Sequence, residues 1–242
     1  MSLGTLYGIG TGPGDPGLVT VKAAKILGEC RHVFAPRAKG ASVSTSFEIV
    51  REFVHPEAVI HTVLFPVEKD RSEAAERWRE AASRIAEVLR TGEDVCYLTL
   101  GDTLLYSTYV YMLRALREIL PEVRVVTVPG VTSFSAAAAL AEFHLGEAKE
   151  PVTVVPVSDD LESVNKALSL GGTVVLMKVG KRLNRLLDLL ERRGMMEHAV
   201  FISHAGMEGE RIETDLSRLR GSAPETGHLA VILVHANSQE AP

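Results

Sequence analysis

The sequence predicts an α/β protein of two α/β domains, and three observations predict it. Short apolar runs alternate with helical patterns along the first half. Three of those runs end in turns built on glycine: Gly10–Gly17, Gly101-Asp102 and Pro129-Gly130. In each case a helical pattern follows. Strand, turn and helix in that order place polar groups at the carboxyl edge of a sheet, where open α/β folds bind ligands. Strands that alternate with helices favour a mainly parallel sheet.

Taken in order, Thr5–Gly10 reads as the first strand. Thr20–Leu27 is the following helix, with Thr20 as its N-cap. His32–Ala35 is a short second strand that Pro36 should end. Thr45–Phe53 is helical and Val59–Val63 is the third strand. Ser72–Arg90 is a long amphipathic helix, with Ala75, Trp78, Ala82, Ile85 and Leu89 at helical spacing. Val95–Leu100 is the fourth strand, a helix is predicted over Leu105–Leu116, and Val123–Val128 is the fifth strand. The later half gives an alanine-rich helix at Thr132–Glu142 and strands at Pro151–Val155, Thr173–Met177, Ala199–Ser203 and Leu229–Val234. Arg182–Arg192 is a helix with Leu183, Leu186, Leu187 and Leu190 on one face, and Arg211–Glu213 reads as a hairpin strand. The boundary falls near Leu120–Arg124, which gives domains of 1–120 and 121–242.

At 242 residues, the length fits one large α/β domain or two smaller ones. With 46% hydrophobic and 24% charged residues, the composition is that of a soluble globular chain. No apolar run is long enough for a membrane helix and no leader pattern is visible, so a cytoplasmic protein without membrane partners is expected. A net charge of -5 speaks against nucleic acid as a partner. Two cysteines, Cys30 and Cys96, make no disulfide framework, and eight scattered histidines make no zinc pattern. No protein-bound metal is expected.

Each turn has a plain and a functional reading. Gly12-Pro13-Gly14-Asp15-Pro16-Gly17 satisfies the dinucleotide fingerprint in form. The physics speaks against it: Pro13 and Pro16 each remove an N–H that a pyrophosphate needs, and Asp15 adds a charge of the wrong sign. A tight ligand-free turn is the plain alternative. Asp102 after Gly101 reads equally as a cap of its own turn or as a ligand contact. Tyr106, Ser107, Thr108, Tyr109 and Tyr111 crowd the next segment, with three of the chain's five tyrosines. Tyr106 and Thr108 read as pocket residues, Tyr109 and Tyr111 as packing. Thr132 and Ser133 either cap a helix or bond to a ligand's polar edge.

Together, Gly10-x-Gly12-Pro13-Gly14-Asp15-Pro16-Gly17-Leu18-x-Thr20, Gly101-Asp102, Pro129-Gly130-Val131-Thr132-Ser133 and Val175-Leu176-Met177-Lys178 resemble the tetrapyrrole methylases. Within them, the run Gly101–Tyr111 is similar to the methyltransferases that act on C-20 of precorrin-2 or cobalt-factor II in cobalamin synthesis. The family's usual Gly-Asp-Pro is Gly101-Asp102-Thr103 here, and losing the proline should loosen the turn.

The resemblance implies a homodimer of two-domain subunits, with S-adenosylmethionine (SAM) in the cleft between the domains and S-adenosylhomocysteine as product. The N-terminal domain would carry loops on the tetrapyrrole side and the C-terminal domain contacts to SAM. By motif match, the cofactor contacts are Pro13, Leu100, Gly101, Asp102, Leu105, Thr132, Ser133 and Met177, with Gly206 and Ala230 resting on fewer matched residues. The substrate carries many carboxylates, so cations should meet it. Arg37 and Lys39, after the second strand, are the candidates, with Asp15, Tyr106 and Thr108 as further substrate contacts. Loss of the C-20 proton needs a base, for which Asp102, Tyr106 and Asp15 are considered. A methylase of another corrin position, of uroporphyrinogen III or of a diphthamide precursor is the alternative enzyme. A non-catalytic nucleotide-binding or scaffold protein is the alternative outside catalysis.

Overall fold

The computed structural model describes residues 2–38, 40–65 and 71–236. It divides into two compact units, Met1–Thr132 and Ser133–Pro242. The first holds β1 (Thr5–Gly10), α1 (Val21–Glu29), β2 (His32–Ala38), α2 (Thr45–Val50), β3 (Val59–Phe65), α3 (Arg71–Arg90), β4 (Val95–Thr99), α4 (Tyr109–Ile119) and β5 (Arg124–Val128). The second holds α5 (Ser133–Leu140), β6 (Val152–Pro156), α6 (Glu162–Leu170), β7 (Thr173–Met177), α7 (Leu183–Arg192), β8 (Ala199–Ser203), β9 (Arg211–Glu213) and β10 (Ala230–His235).

The first sheet has strand order β3-β2-β4-β1-β5 and every pairing is parallel. Its strands are apolar on both faces, as a sheet covered on both sides requires. On one face, Leu6, Phe34, Val63 and Val95 meet Ala82, Ile85 and Leu89 of α3 and Met112 and Leu116 of α4. Strand alternation assigns Ile9, Val33 and Leu98 to the opposite face, where α1 and α2 pack against β1, β2 and β4. Each leucine or isoleucine fully buried here contributes about 1.5–3 kcal/mol of transfer free energy. Thr20 caps α1 by accepting from the Ala23 N–H at 3.2 Å. Gly8 is required by packing. A Cβ there would lie 2.4 Å from the Tyr109 ring, which lies across β1 and hydrogen-bonds Thr127 through its hydroxyl at 3.1 Å.

Three expectations are corrected in this unit. The domain boundary is not at 120. β5 pairs in parallel along β1, with Thr5 opposite Arg124 and Ile9 opposite Val128, so it completes the first sheet and the first unit runs to Thr132. Pro36 does not end the second strand. β2 continues to Ala38 beside β3, while its pairing to β4 stops at Phe34. One flank of Pro36 therefore has no ladder to disrupt, as edge prolines need. The fourth helix starts at Tyr109 rather than Leu105, because Asp102 and Tyr106 hold residues 101–108 in a turn.

The second sheet, of order β6-β7-β10-β8-β9, is mixed. β6 and β7 are parallel, while β10 runs antiparallel to both β7 and β8, and β9 antiparallel to β8. Ala137 and Ala138 of α5 cover one face with Val175, Val200, Ile202, Val231 and Leu233. Leu183, Leu186, Leu187 and Leu190 of α7 cover the other, with α6 contributing Val164, Ala167 and Leu168. No helix among the described residues is long and apolar enough to cross a membrane.

Candidate cofactor and substrate site

β1 and β4 are neighbours, yet the chain leaves them in opposite directions across the sheet: β1 leads toward β2, β4 toward β5. This is a topological switch point, the place where open parallel sheets form a ligand crevice. The turns that follow β1 and β4 are tied together there. The Gly12 N–H donates to the Gly101 carbonyl at 3.3 Å, and the Gly101 N–H donates to the Gly12 carbonyl at 2.8 Å. Both glycines sit at positive φ, 75° and 72°, which other residues adopt only at a cost. The turn after β5 joins them. A Cβ on Gly10 would stand 2.4 Å from the Gly130 nitrogen, and one on Gly130 would stand 2.2 Å from the Gly101 oxygen. Three chain segments thus meet backbone to backbone. Above Gly101 itself, no atom of the described residues beyond its two chain neighbours lies within 4 Å of the place a Cβ would take.

Asp102 organises this knot. Its Oδ1 accepts from the N–H groups of Leu104 at 2.9 Å and Leu105 at 3.1 Å, and its Oδ2 accepts from the Gly130 N–H at 3.1 Å. Thr103 brings a contact that a proline could not make. Thr103 is buried, and its hydroxyl donates to the Val128 carbonyl at 3.4 Å. It ties the turn to β5 where a proline would have acted through ring stiffness. Leu100 and Leu105 are half-buried. Tyr106 has φ 50° and is 41% exposed; a bulky residue in the left-handed region signals strain held by its surroundings. Ser107 accepts from the Tyr109 N–H at 3.0 Å, and Thr108 is exposed at the head of α4.

The remaining candidates of the first unit divide. Pro13 is buried in the β1 turn. Asp15 is exposed, and its carboxylate accepts from the Gly17 N–H at 2.7 Å, capping the 3-10 turn Pro16–Leu18. Arg37 lies within β2, and its guanidinium donates to the Ala41 carbonyl, so it folds its own loop. Lys39 lies outside the described residues. Thr132 is half-buried at the end of the unit. Tyr109 is packed as expected, and burial pushes its phenol up. Tyr111, read as a packing residue, is 54% exposed and stacks on Trp78 at 6.0 Å.

In the second unit, Met177, Gly206 and Ala230 gather at one edge of the sheet. Met177 ends β7, Ala230 opens β10 opposite Ser203, and Gly206 follows β8. Met177 packs on the α5 side, whereas the Ala230 side chain belongs to the α7 core. The Gly206 N–H donates to Glu210 at 2.7 Å. Ser133 is the first residue of α5. At this edge three strand ends turn through left-handed residues that are not glycine: Lys178 at φ 60°, His204 at 52° and Leu229 at 47°. The His204 N–H donates to the Leu229 carbonyl at 3.1 Å, which holds two of them together. The sequence offers no cue to these three, because the usual cue is a glycine. Thr11, inside the first glycine turn, and Thr99, near the end of an apolar run, are buried beside the turns of the first unit, where the sequence gives a threonine no distinguishing mark. No group of three or more metal-ligating side chains occurs among the described residues.

Comparisons with known proteins fit this geometry. The profile of the Tetrapyrrole (Corrin/Porphyrin) Methylases matches residues 5–220. The chain is 33% identical to the cobalt-precorrin-2 C(20)-methyltransferase of Salmonella typhimurium, covering 96% of each chain. It is 33% identical to the probable cobalt-precorrin-2 C(20)-methyltransferase of Methanocaldococcus jannaschii, covering 81% of this chain and 83% of the relative. Its fold matches the uroporphyrin-III C-methyl transferase from Thermus thermophilus complexed with S-adenyl homocysteine, with TM-score 0.66 and 22% identity over 96% of this chain and 97% of that one. A parallel sheet knotted by glycine turns at its switch point, and a sequence match that spans nearly all of both units, make this chain a member of the tetrapyrrole methylase family.

Proposed function

We propose that the protein transfers a methyl group from SAM to C-20 of cobalt-factor II or precorrin-2 in cobalamin biosynthesis. One observation carries the substrate choice: two relatives, each 33% identical over most of the chain, are named for that position of the cobalt-bearing macrocycle. They favour the cobalt form over the metal-free one.

The residues present fit the cofactor. The space over Gly101 is open and floored by bare backbone, which allows close approach by a ligand's polar edge. Leu100, Gly101, Asp102 and Leu105 would hold the methionine and ribose portion, with Pro13 beneath them and Thr132 and Ser133 as further contacts. Met177, Gly206 and Ala230 would take the adenosine, Ala230 through its main chain. Bound SAM supplies an activated methyl on a sulfonium, so the chain's task is alignment, worth about 7–11 kcal/mol at its upper limit.

Asp102 acts by position. Three amide donors occupy most of its acceptor capacity, so it shapes the turn that carries Gly101. Asp15 is likewise engaged in its own cap. Tyr106 is partly exposed on a strained backbone, and we assign it to the macrocycle, where its phenol oxygen takes the departing C-20 proton as its own proton passes to solvent. Thr108 adds a hydroxyl at the same turn. Lys39 remains a proposed partner of substrate carboxylates, and Arg37 would join it only by giving up its bond to the Ala41 carbonyl. The enzyme is proposed to work as a cytoplasmic homodimer, consistent with the family resemblance.

The test is incubation with SAM and each macrocycle in turn, with the new methyl located by NMR. Methylation at C-20, faster with the cobalt complex, is expected. A methyl on another carbon, or activity on uroporphyrinogen III alone, overturns the assignment. Tyr106→Phe should lower kcat with little change in S-adenosylhomocysteine affinity, and an unchanged kcat would remove Tyr106 from the reaction.

A further inference from the structure

The edge of the second sheet that carries Met177 holds a cation without a counterpart. β6, β7 and β8 all end there, and β10 begins there between β7 and β8. Lys178 follows Met177 directly, beside the central strand β10. It is exposed and stands at φ 60°, a left-handed backbone that costs a lysine energy and costs a glycine almost none. The chain does use glycine close by, with Gly180 at φ 49° and Gly206 at φ 72°. A side chain kept where its removal would relieve strain points to a task for that side chain.

The backbone on either side of Lys178 is fixed. The Val157 N–H donates to the Met177 carbonyl at 2.8 Å, and Gly180 packs against the Gly227 backbone with no room for a Cβ on the latter. No hydrogen bond or ion pair engages the Lys178 ammonium among the described residues. Three acids of this edge are engaged elsewhere: Asp159 pairs with Arg182 at 2.7 Å, Asp160 accepts from the Ser158 hydroxyl at 2.7 Å, and Glu210 accepts from the Gly206 N–H at 2.7 Å. Lys181, three residues on, already lies in the field of Asp159. A flexible four-carbon stem lets the Lys178 ammonium sweep the edge around it, so its position offers an unanswered positive charge to an anion bound there.

We infer that Lys178 is a carboxylate-binding residue, which forms an ion pair with a carboxylate of a ligand held at this edge. This rests on the functional reading above, which offers two sources of that group: the side chains around the macrocycle and the methionine end of SAM. The competing account is a solvated surface lysine that no ligand touches.

The experiment compares the full-length protein with Lys178→Met, Lys178→Gly and Lys178→Arg. Lys166→Met, which removes a lysine paired to Glu162 on α6, controls for the loss of one charge. Three probes are titrated: uroporphyrin III, a macrocycle rimmed with carboxylates, by fluorescence quenching, and S-adenosylhomocysteine and methylthioadenosine by calorimetry. Methylthioadenosine keeps the adenosine and lacks the carboxylate. Lys178→Met and Lys178→Gly should weaken one of the two carboxylate probes about fivefold, the upper range for an exposed ion pair, and leave methylthioadenosine unchanged. The probe that weakens identifies the source of the carboxylate, and the difference from wild type should shrink as salt rises. Lys178→Arg should keep the affinity, Lys166→Met should bind as wild type, and Lys178→Gly should melt no lower than wild type, so that lost affinity is not lost folding. Unchanged affinity for both carboxylate probes overturns the inference. So does an equal loss for methylthioadenosine, which would put the lysine on the adenosine, or an equal loss in Lys166→Met, which would be a general effect of charge. If the wild-type protein itself takes neither S-adenosylhomocysteine nor the macrocycle, the functional reading fails, and this inference with it.

Discussion

The edges of the two sheets that carry the candidate residues turn the chain by different means. In the first unit, glycines do the turning, and three segments approach until their backbones touch at Gly10, Gly101 and Gly130. In the second, Lys178, His204 and Leu229 keep their side chains and accept left-handed backbone. The first edge is limited chiefly by space, whereas the second adds strain at these three residues to a close approach of its own, where a Cβ on Gly227 would stand 2.0 Å from the Gly180 oxygen. An added methyl group should damage the first, whereas a removed side chain should relax the second.

The largest effect is expected where three backbones meet. Gly10→Ala should destabilise the first unit by about 3 kcal/mol, because its Cβ would press on the fixed Gly130 nitrogen; urea unfolding measures it. A neutral result would mean that the knot is slack. Next comes Asp102→Ala, which leaves three N–H groups without their acceptor. A loss of about 2–3 kcal/mol is expected, together with a fall in S-adenosylhomocysteine affinity. Asp102→Asn should retain more of both, since one amide oxygen still accepts. Equal loss of turnover in both variants with full affinity would instead mark Asp102 as the proton acceptor.

At the second edge the sign reverses. His204→Gly or Lys178→Gly should stabilise by about 0.5–1 kcal/mol, the left-handed penalty less the entropy cost of glycine. Destabilisation would show that these side chains make contacts worth more than the strain.

The smallest effect is one that both units share. His61 meets His32 at 3.1 Å, Nε2 to Nδ1, and its pKa is lowered by burial, by His32 and by Arg84. His235, stacked on Phe143, is lowered by burial and by His144. A histidine whose folded pKa lies below its unfolded value binds fewer protons when folded. Its contribution is complete above the ordinary imidazole pKa near 6.5 and is lost as pH falls below it. Stability should therefore decline on acidification from neutral, and His61→Phe or His235→Phe should each flatten part of that decline in melts across pH.

The same contrast explains what could be read from the sequence. Glycine and proline are visible as letters, so the three turns of the first edge, the parallel sheet and the family resemblance were legible. Left-handed lysine, histidine and leucine carry no such mark. Helix α6 was missed because its buried stripe is only Val164, Ala167 and Leu168 within a polar segment. The unit boundary was misplaced because β5 looks the same whether it joins the sheet before it or the one after. Thr103 shows a related limit: a hydroxyl's partner 25 residues away in sequence, Val128, is set by the tertiary fold.

The Tyr109 ring over Gly8 carries an evolutionary consequence. Any side chain at position 8 collides with the aromatic, and truncating the aromatic would leave a void beneath α4 and strip Thr127 of its phenolic partner. Neither position can drift alone without passing through a misfit, so the two should vary as a pair among descendants of this chain.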